Sequence, residues 1–207
     1  RLGKAQQVAY RQLVANPAWL GEVLAAVPSA LHPVMTANVK AGSELRALTK
    51  PRTELPPWRI VAPAPAAELL GYYKEAEARF GVPWGYLAAI HLTETRMGRI
   101  RGTSTAGAQG PMQFLPATWG QYGEGGDINS NRDAIMAAAR LLVRNGAPGN
   151  MANALFNYNR SQRYVTAVTE YALLMAKDEG AYRGYYQWEV YYRLVDGDRL
   201  LPVGYGA

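Results

Sequence analysis

Proline placement does most to limit what this chain can fold into. Pro51, Pro56, Pro57, Pro63 and Pro65 crowd residues 49–65, and each ring fixes φ and removes a backbone donor, so no helix interior can run through them. The stretch reads as an extended, solvent-facing connection between two helical blocks. Ahead of it, Leu13, Val14, Trp19, Leu20, Val23, Leu24 and Val27 recur at helical spacings and are punctuated by Pro17, Pro28 and Pro33, which predicts two or three short helices before about residue 48. Behind it the helical pattern resumes from Ala66 to about Glu179, with turn-rich breaks at RGTSTAGAQGPMQ and YGEGGDINSN. Beyond Gly180 the text YYQWEVYYRLVDGDRLLPVGY turns to aromatic and β-branched residues. Asp196-Gly197 supplies turn chemistry there, so two antiparallel strands are predicted, near 186–195 and 199–203. The expected fold is mainly α, with an N-terminal helical segment and connection over 1–65, a helical core domain over 66–179 and an aromatic C-terminal hairpin over 180–207.

Composition narrows the chemistry. The 207 residues are 49% hydrophobic and 18% charged, which suits a packed core and excludes a disordered acidic tail, a collagen repeat or a coiled coil. The formal charge of +6 admits an anionic partner: nucleic acid, a membrane surface or an acidic cell-envelope polymer. Cysteine is absent, so disulfides, thiolate zinc sites and cysteine nucleophiles are all excluded. His32 and His91 alone cannot hold a metal without a carboxylate cluster, and none is visible, so no metal or cofactor is expected. Catalysis must rest on carboxylates or hydroxyls. No apolar run approaches the ~20 residues needed to span a bilayer, so the chain reads as soluble. It begins at Arg1 rather than Met, which leaves room for a signal peptide or anchor upstream.

One carboxylate stands in an unusual place. A helix beginning near Pro83 carries Leu87, Ile90 and Met97 on one stripe, and Glu94 shares that stripe. With Gly98 as the helix stop, Glu94 falls in the last turn, where burial and unpaired carbonyls both disfavour ionisation and raise its pKa. A carboxyl protonated near neutrality is what general acid catalysis requires. The plainer alternative is an ion pair with Arg96, Arg99 or Arg101. The next segment favours a site: GTSTAGAQGPMQ holds three glycines, which let backbone approach a ligand closely, and Ser104, Gln109 and Gln113 offer neutral partners for sugar hydroxyls and acetamido groups.

Glu94-Thr95, the run Ser104-Thr-Ala-Gly107-Ala108-Gln-Gly110-Pro-Met112-Gln113-Phe114, and Asn157-Tyr158-Asn159 together resemble, in order and spacing, the signature of lytic transglycosylases with the goose-type lysozyme fold. The resemblance spans about residues 70–178 and is similar in character to transglycosylases of actinobacteria. It implies a lysozyme-like helical domain that cleaves the β-1,4 bond between N-acetylmuramic acid and N-acetylglucosamine in peptidoglycan glycan strands. By that resemblance Glu94 is the sole catalytic acid/base. Ser104, Met112, Gln113 and Phe114 hold substrate, Tyr158 orients the glutamate, and Asn159 stands beside it. Three departures are visible: Thr95 where serine is common, Pro111 where leucine is usual, and Arg160-Ser161 after Tyr-Asn. The implied protein is a monomer that is secreted or associated with the cell envelope, and no nucleic-acid motif appears.

Other residues carry plainer readings. Glu124, Asp127 and Asp133 are the candidates for a second carboxylate, and Asp127 would activate water if the enzyme were a hydrolase. Ser130 or Asn131 capping a helix with Asp133 in its first turn explains the same residues structurally. A calcium loop is disfavoured by Arg132 and Ala138 at the required Gly and Glu positions. His91 reads as a hydrogen-bonded core imidazole, and Trp84, Trp119 and Tyr122 read as packing residues rather than sugar platforms. Tyr164, Val165, Val168, Ala172 and Met175 read as one packed helix face. Tyr185, Tyr186, Trp188, Tyr191 and Tyr192 either form an aromatic binding platform or cover the helical core. Arg1, Lys4 and Arg11 form a basic N-terminal face. A scaffold that binds peptidoglycan without turnover is a further reading, and the presence of Glu94 argues against it.

Overall fold

A computed structural model describes residues 2–206, and within them the chain is mainly α-helical with a small C-terminal strand pair. The N-terminal block forms α1 (Leu2–Ala15), α2 (Trp19–Ala26), a 3₁₀ turn (Ser29–Leu31) and α3 (His32–Leu48). Pro17 and Pro28 fall in the breaks, and Pro33 sits in the first turn of α3, where its missing N–H costs nothing. Strand β1 (Arg59–Ile60) follows, then α4 (Ala66–Phe80), α5 (Trp84–Thr95), β2 (Ile100–Arg101), α6 (Pro116–Tyr122), α7 (Asn131–Arg144), α8 (Met151–Tyr158) and α9 (Gln162–Lys177). The chain closes with α10 (Glu179–Tyr186), β3 (Val190–Leu194) and β4 (Gly197–Leu201). No described helix is long and apolar enough to cross a membrane.

The proline-rich stretch is less solvent-facing than its sequence predicts. Pro56 and Ile60 are buried, and β1 pairs antiparallel with β2 while Ile60 also exchanges backbone bonds with Tyr205 and Gly204. Upstream, Arg52 bridges to the hairpin through bonds with Arg193 and Val195. Proline forbids helix but leaves alternate carbonyls and amides free for short ladders at an edge.

Helix α5 is the centre of the molecule. Leu87, Ala88, Ala89, Ile90, His91 and Leu92 all have no exposed surface, so this helix is buried around its whole circumference rather than along one stripe. Helices α4, α7 and α9 pack around it, and α3 lies on α9. Helix boundaries follow local chemistry. Gly81 ends α4 in the left-handed region (φ 72°), and the Glu77 carboxylate accepts the Trp84 N–H at 3.2 Å to begin α5. Ser130 caps α7 by accepting the Asp133 N–H at 3.3 Å, as the sequence suggests.

The C-terminal region differs in detail from expectation. Strand β3 begins only at Val190 rather than near 186 as expected, and helix α10 occupies 179–186, capped at 2.7 Å by Asp178 through the Gly180 N–H. Its tyrosines 182, 185 and 186 share a helical face. The hairpin register pairs Leu194 with Gly197, so Val195 and Asp196 form the turn and Gly197 follows at φ 131°. Tyr185 and Trp188 are almost fully buried against Tyr171, so these aromatics cover the helical core. Lys4 pairs with Glu189 and Arg11 with Asp198, each at 2.6 Å, which engages the basic face internally. Arg1 lies outside the described residues. The buried Gln7 side chain also acts as a strand partner for Glu189, accepting its N–H and donating to its carbonyl at 2.8 Å each.

Candidate active site

Three successive residues leave the right-handed helical region after α5: Arg96 (φ 53°), Met97 (φ 60°) and Gly98 (φ 78°). The helix stop thus begins two residues before the predicted Gly98. Arg96 and Met97 adopt a conformation that costs non-glycine residues energy, so contacts from outside must hold it. Thr95 supplies two of them. Its buried hydroxyl donates to the Pro111 carbonyl at 2.6 Å and accepts the Gly98 N–H at 3.0 Å. Thr95 and Pro111, two departures from the signature, are therefore partners in one clamp.

Glu94 stands immediately before that clamp, in the last turn of α5. It keeps part of its surface open while its carboxyl is surrounded by protein. Oε1 accepts a 2.7 Å hydrogen bond from the Tyr164 hydroxyl. The nearby arginines are engaged elsewhere: Arg96 donates to the Leu92 carbonyl, Arg99 to those of Arg96 and Tyr186, and Arg101 to that of Asn129. Without a cation to favour its charged form, Glu94 is pushed up to about 7 by burial, against the downward pull of the Tyr164 hydrogen bond.

The tyrosine that reaches Glu94 is not the one the resemblance assigns. Tyr158 instead donates to the Met112 carbonyl at 2.7 Å, and its ring lies parallel to that of Tyr164, with planes 4° apart and centroids 6.4 Å apart. Burial raises both phenols well above their ordinary range, so both remain neutral donors. Tyr164 lies 70 positions after Glu94 on a face of α9 that reads as packing alone. The missed signal is chemical: a buried tyrosine hydroxyl among aliphatic residues needs a partner.

The loop 102–113 serves its own shape first. Ser104 Oγ accepts the N–H groups of Ala106 and Ala108 at 3.2 and 3.0 Å. Gln113, at φ 52°, donates to the Gly110 carbonyl at 3.0 Å, and Gln109 and Phe114 exchange backbone bonds. A Cβ at Gly110 would lie 1.9 Å from the Ile128 carbonyl oxygen, so glycine there permits approach to the next loop rather than to a ligand. Met112 is wholly buried and Phe114 is 3% exposed, with Phe114 packed edge-on to Trp119 and Tyr158. Neither side chain is open to solvent, and Met112 offers its carbonyl to the Tyr158 hydroxyl. Ser104 and Gln113 remain partly open, and Asn159 is exposed at the end of α8. The residues brought together are therefore Glu94, Thr95, Pro111, Met112, Tyr158 and Tyr164.

The other carboxylates are engaged elsewhere. Glu124 pairs with Arg140 at 2.5 Å. Asp127 is exposed and accepts the Asn129 N–H at 2.9 Å. Asp133 accepts the Asp127 N–H at 3.0 Å. His91 is a core imidazole: its Nδ1 lies 2.7 Å from the Tyr73 hydroxyl, and burial holds its pKa down to about 3. No group of three potential metal ligands occurs among the described residues. Trp84, Trp119 and Tyr122 pack against the core.

Over 106 residues, 47% of the chain, the sequence is 29% identical to a membrane-bound lytic murein transglycosylase F of Thiobacillus denitrificans. The chain spans about a fifth of that relative, 22% of its length. No protein family's sequence model matches the chain, and no solved structure matches it significantly.

Proposed function

We propose that this chain is a peptidoglycan lytic transglycosylase acting outside the cytoplasm on glycan strands, with Glu94 as its single general acid and base. The observation that carries the reading is the state of Glu94: a carboxyl at the end of a buried helix, paired with no cation, hydrogen-bonded by a neutral tyrosine and raised to about 7. The similarity to a lytic murein transglycosylase supports the substrate class.

Protonated Glu94 donates to the glycosidic oxygen as the bond to the anomeric carbon of N-acetylmuramic acid breaks. The substrate's own N-acetyl oxygen stabilises the positive charge on that carbon. Glu94, now a carboxylate, accepts the proton of the C6 hydroxyl as its oxygen attacks C1, which gives a 1,6-anhydromuramoyl end and restores the acid. The nucleophile belongs to the substrate, so no water and no second carboxylate is required, and proximity favours the ring closure. A pKa near the working pH suits a group that must give and then take a proton. Tyr164 holds the carboxyl in place through both steps. Tyr158, fixed to the Met112 carbonyl, keeps the Tyr164 ring in its stack.

The test is mass spectrometry of muropeptides released from purified peptidoglycan. Anhydro ends, lighter by one water than reducing ends, are expected from the wild type and not from Glu94→Gln. Reducing ends would overturn the transglycosylase assignment in favour of hydrolysis.

A further inference from the structure

We propose that Arg59 and Arg101 form a carboxylate-binding subsite for the stem peptides of the glycan strand. The proposal rests on the reading of the substrate given above. It begins from an unfavourable pairing. β1 and β2 place Arg59 directly opposite Arg101, so the two side chains leave the ladder on the same face, and like charges at opposed positions repel. An acidic partner at such a position would stabilise the pair instead. Here Arg101 donates, among the described residues, only to the Asn129 carbonyl, at 3.3 Å. Arg59 makes no side-chain hydrogen bond or ion pair among the described residues, whereas ten lysine or arginine contacts elsewhere in them reach a carboxylate.

Arg101 also lines a recess with Thr103, Gln109, Gly110 and Asn129. That recess lies along the 102–113 loop, whose far end carries the Pro111 and Met112 carbonyls of the Glu94 cluster. A ligand in this recess would meet neutral hydrogen-bonding groups at Thr103, Gln109 and Asn129 and the Arg101 guanidinium, with Arg59 beside the recess as the ladder partner of Arg101. Sugar hydroxyls do not call for a pair of cations. A carboxylate does, because a guanidinium binds it through two parallel N–H bonds, and a second one on the same face strengthens the field and relieves the repulsion. In peptidoglycan the carboxylates are carried by the peptide attached to N-acetylmuramic acid, so the recess reads the peptide while the cluster at Glu94 acts on the sugar.

The experiment compares two substrates: glycan strands with stem peptides intact, and the same strands with their peptide carboxylates capped as neutral amides. Wild-type chain is expected to cleave the uncapped strands with a roughly tenfold higher kcat/KM, expressed mainly in KM and diminished by salt. Arg59→Gln with Arg101→Gln removes that preference, and Arg59→Lys with Arg101→Lys restores part of it. Cleavage of capped strands by the same variants reports that they are folded. Equal losses on both substrates, or no loss on either, would overturn the subsite. Co-sedimentation with insoluble peptidoglycan in the Glu94→Gln background reads the same arginines without turnover. Weaker binding on loss of the two arginines supports the subsite even if no anhydro product forms, and unchanged binding overturns it.

Discussion

Two acidic regions of this molecule show how differently the same side chain can be used. Glu124 and Asp127 in the glycine-rich turn before α7, with Asp133 in the first turn of that helix, are exposed or partly exposed, and each is matched by an arginine or a backbone N–H. Glu94 stands alone on a helix buried on all sides, with a neutral tyrosine as its hydrogen-bond partner. Number and proximity of carboxylates would direct attention to the turn. Partner chemistry directs it to Glu94, because a carboxylate without a cation in a buried setting is the one whose proton is held near neutrality.

The largest expected effect breaks the comparison outright. Glu94→Gln should lower turnover on peptidoglycan by about 10²–10⁴-fold, the usual weight of a general acid, while Asp127→Asn should stay within about twofold. A steady-state assay of both variants on the same substrate decides it; comparable losses would erase the distinction between the two regions.

Tyr164→Phe sharpens the comparison next. Its hydroxyl holds the Glu94 pKa down, so its removal should move the descending limb of the pH–rate profile to higher pH and slow turnover about 10- to 150-fold, since one positioning bond of about 1.5–3 kcal/mol is lost. Tyr158→Phe should weaken activity less and leave the limb in place, because its hydroxyl bonds the Met112 carbonyl.

Stability against pH offers a third test, with opposite signs for two residues on one helix. The Glu94 pKa rises from 4.5 to about 7 on folding, so its protonated form contributes stability that is full below pH 4.5 and lost as pH passes 7. Glu94→Gln should therefore be more stable than wild type at pH 8 by about 1–3 kcal/mol and close to it at pH 4. His91 falls from 6.5 to about 3, so its contribution is present above pH 6.5 and lost as pH falls towards 3. Because the Glu94 contribution grows over the same window, the His91 effect is read in the Glu94→Gln background: thermal melts of that variant should weaken on acidification from pH 6.5 to 4, and adding His91→Gln should flatten the decline.

The smallest effect concerns the turn itself. Ser130→Ala removes the α7 cap and should cost about 1 kcal/mol in chemical denaturation with turnover preserved. A large activity loss at equal folding would place this turn in the catalytic chemistry.

What the sequence discloses follows the range of the interactions involved. The α5 helix, the Ser130 cap and the position of Glu94 depend on neighbours within a few residues, and all are legible. The 102–113 loop is legible as a turn, but Gly110 serves a backbone approach at Ile128 that no local pattern encodes. The partner of Glu94 lies on α9, in a stripe whose helical spacing cannot distinguish a packed ring from a donating hydroxyl. Helix α10 is hidden for a similar reason, since its tyrosines favour strands until the Asp178 cap and the pocket beside Tyr171 settle them as helix. The mutual support of Thr95 and Pro111 is also invisible in order, though both residues stand out as departures.

The most direct test is a titration of the Glu94 carboxyl itself, followed by carbon-13 NMR of glutamate-labelled protein and assigned by the signal lost in Glu94→Gln. The account predicts a midpoint near 7 that moves upward in Tyr164→Phe. A midpoint close to the ordinary 4.5, or one indifferent to Tyr164, would contradict it.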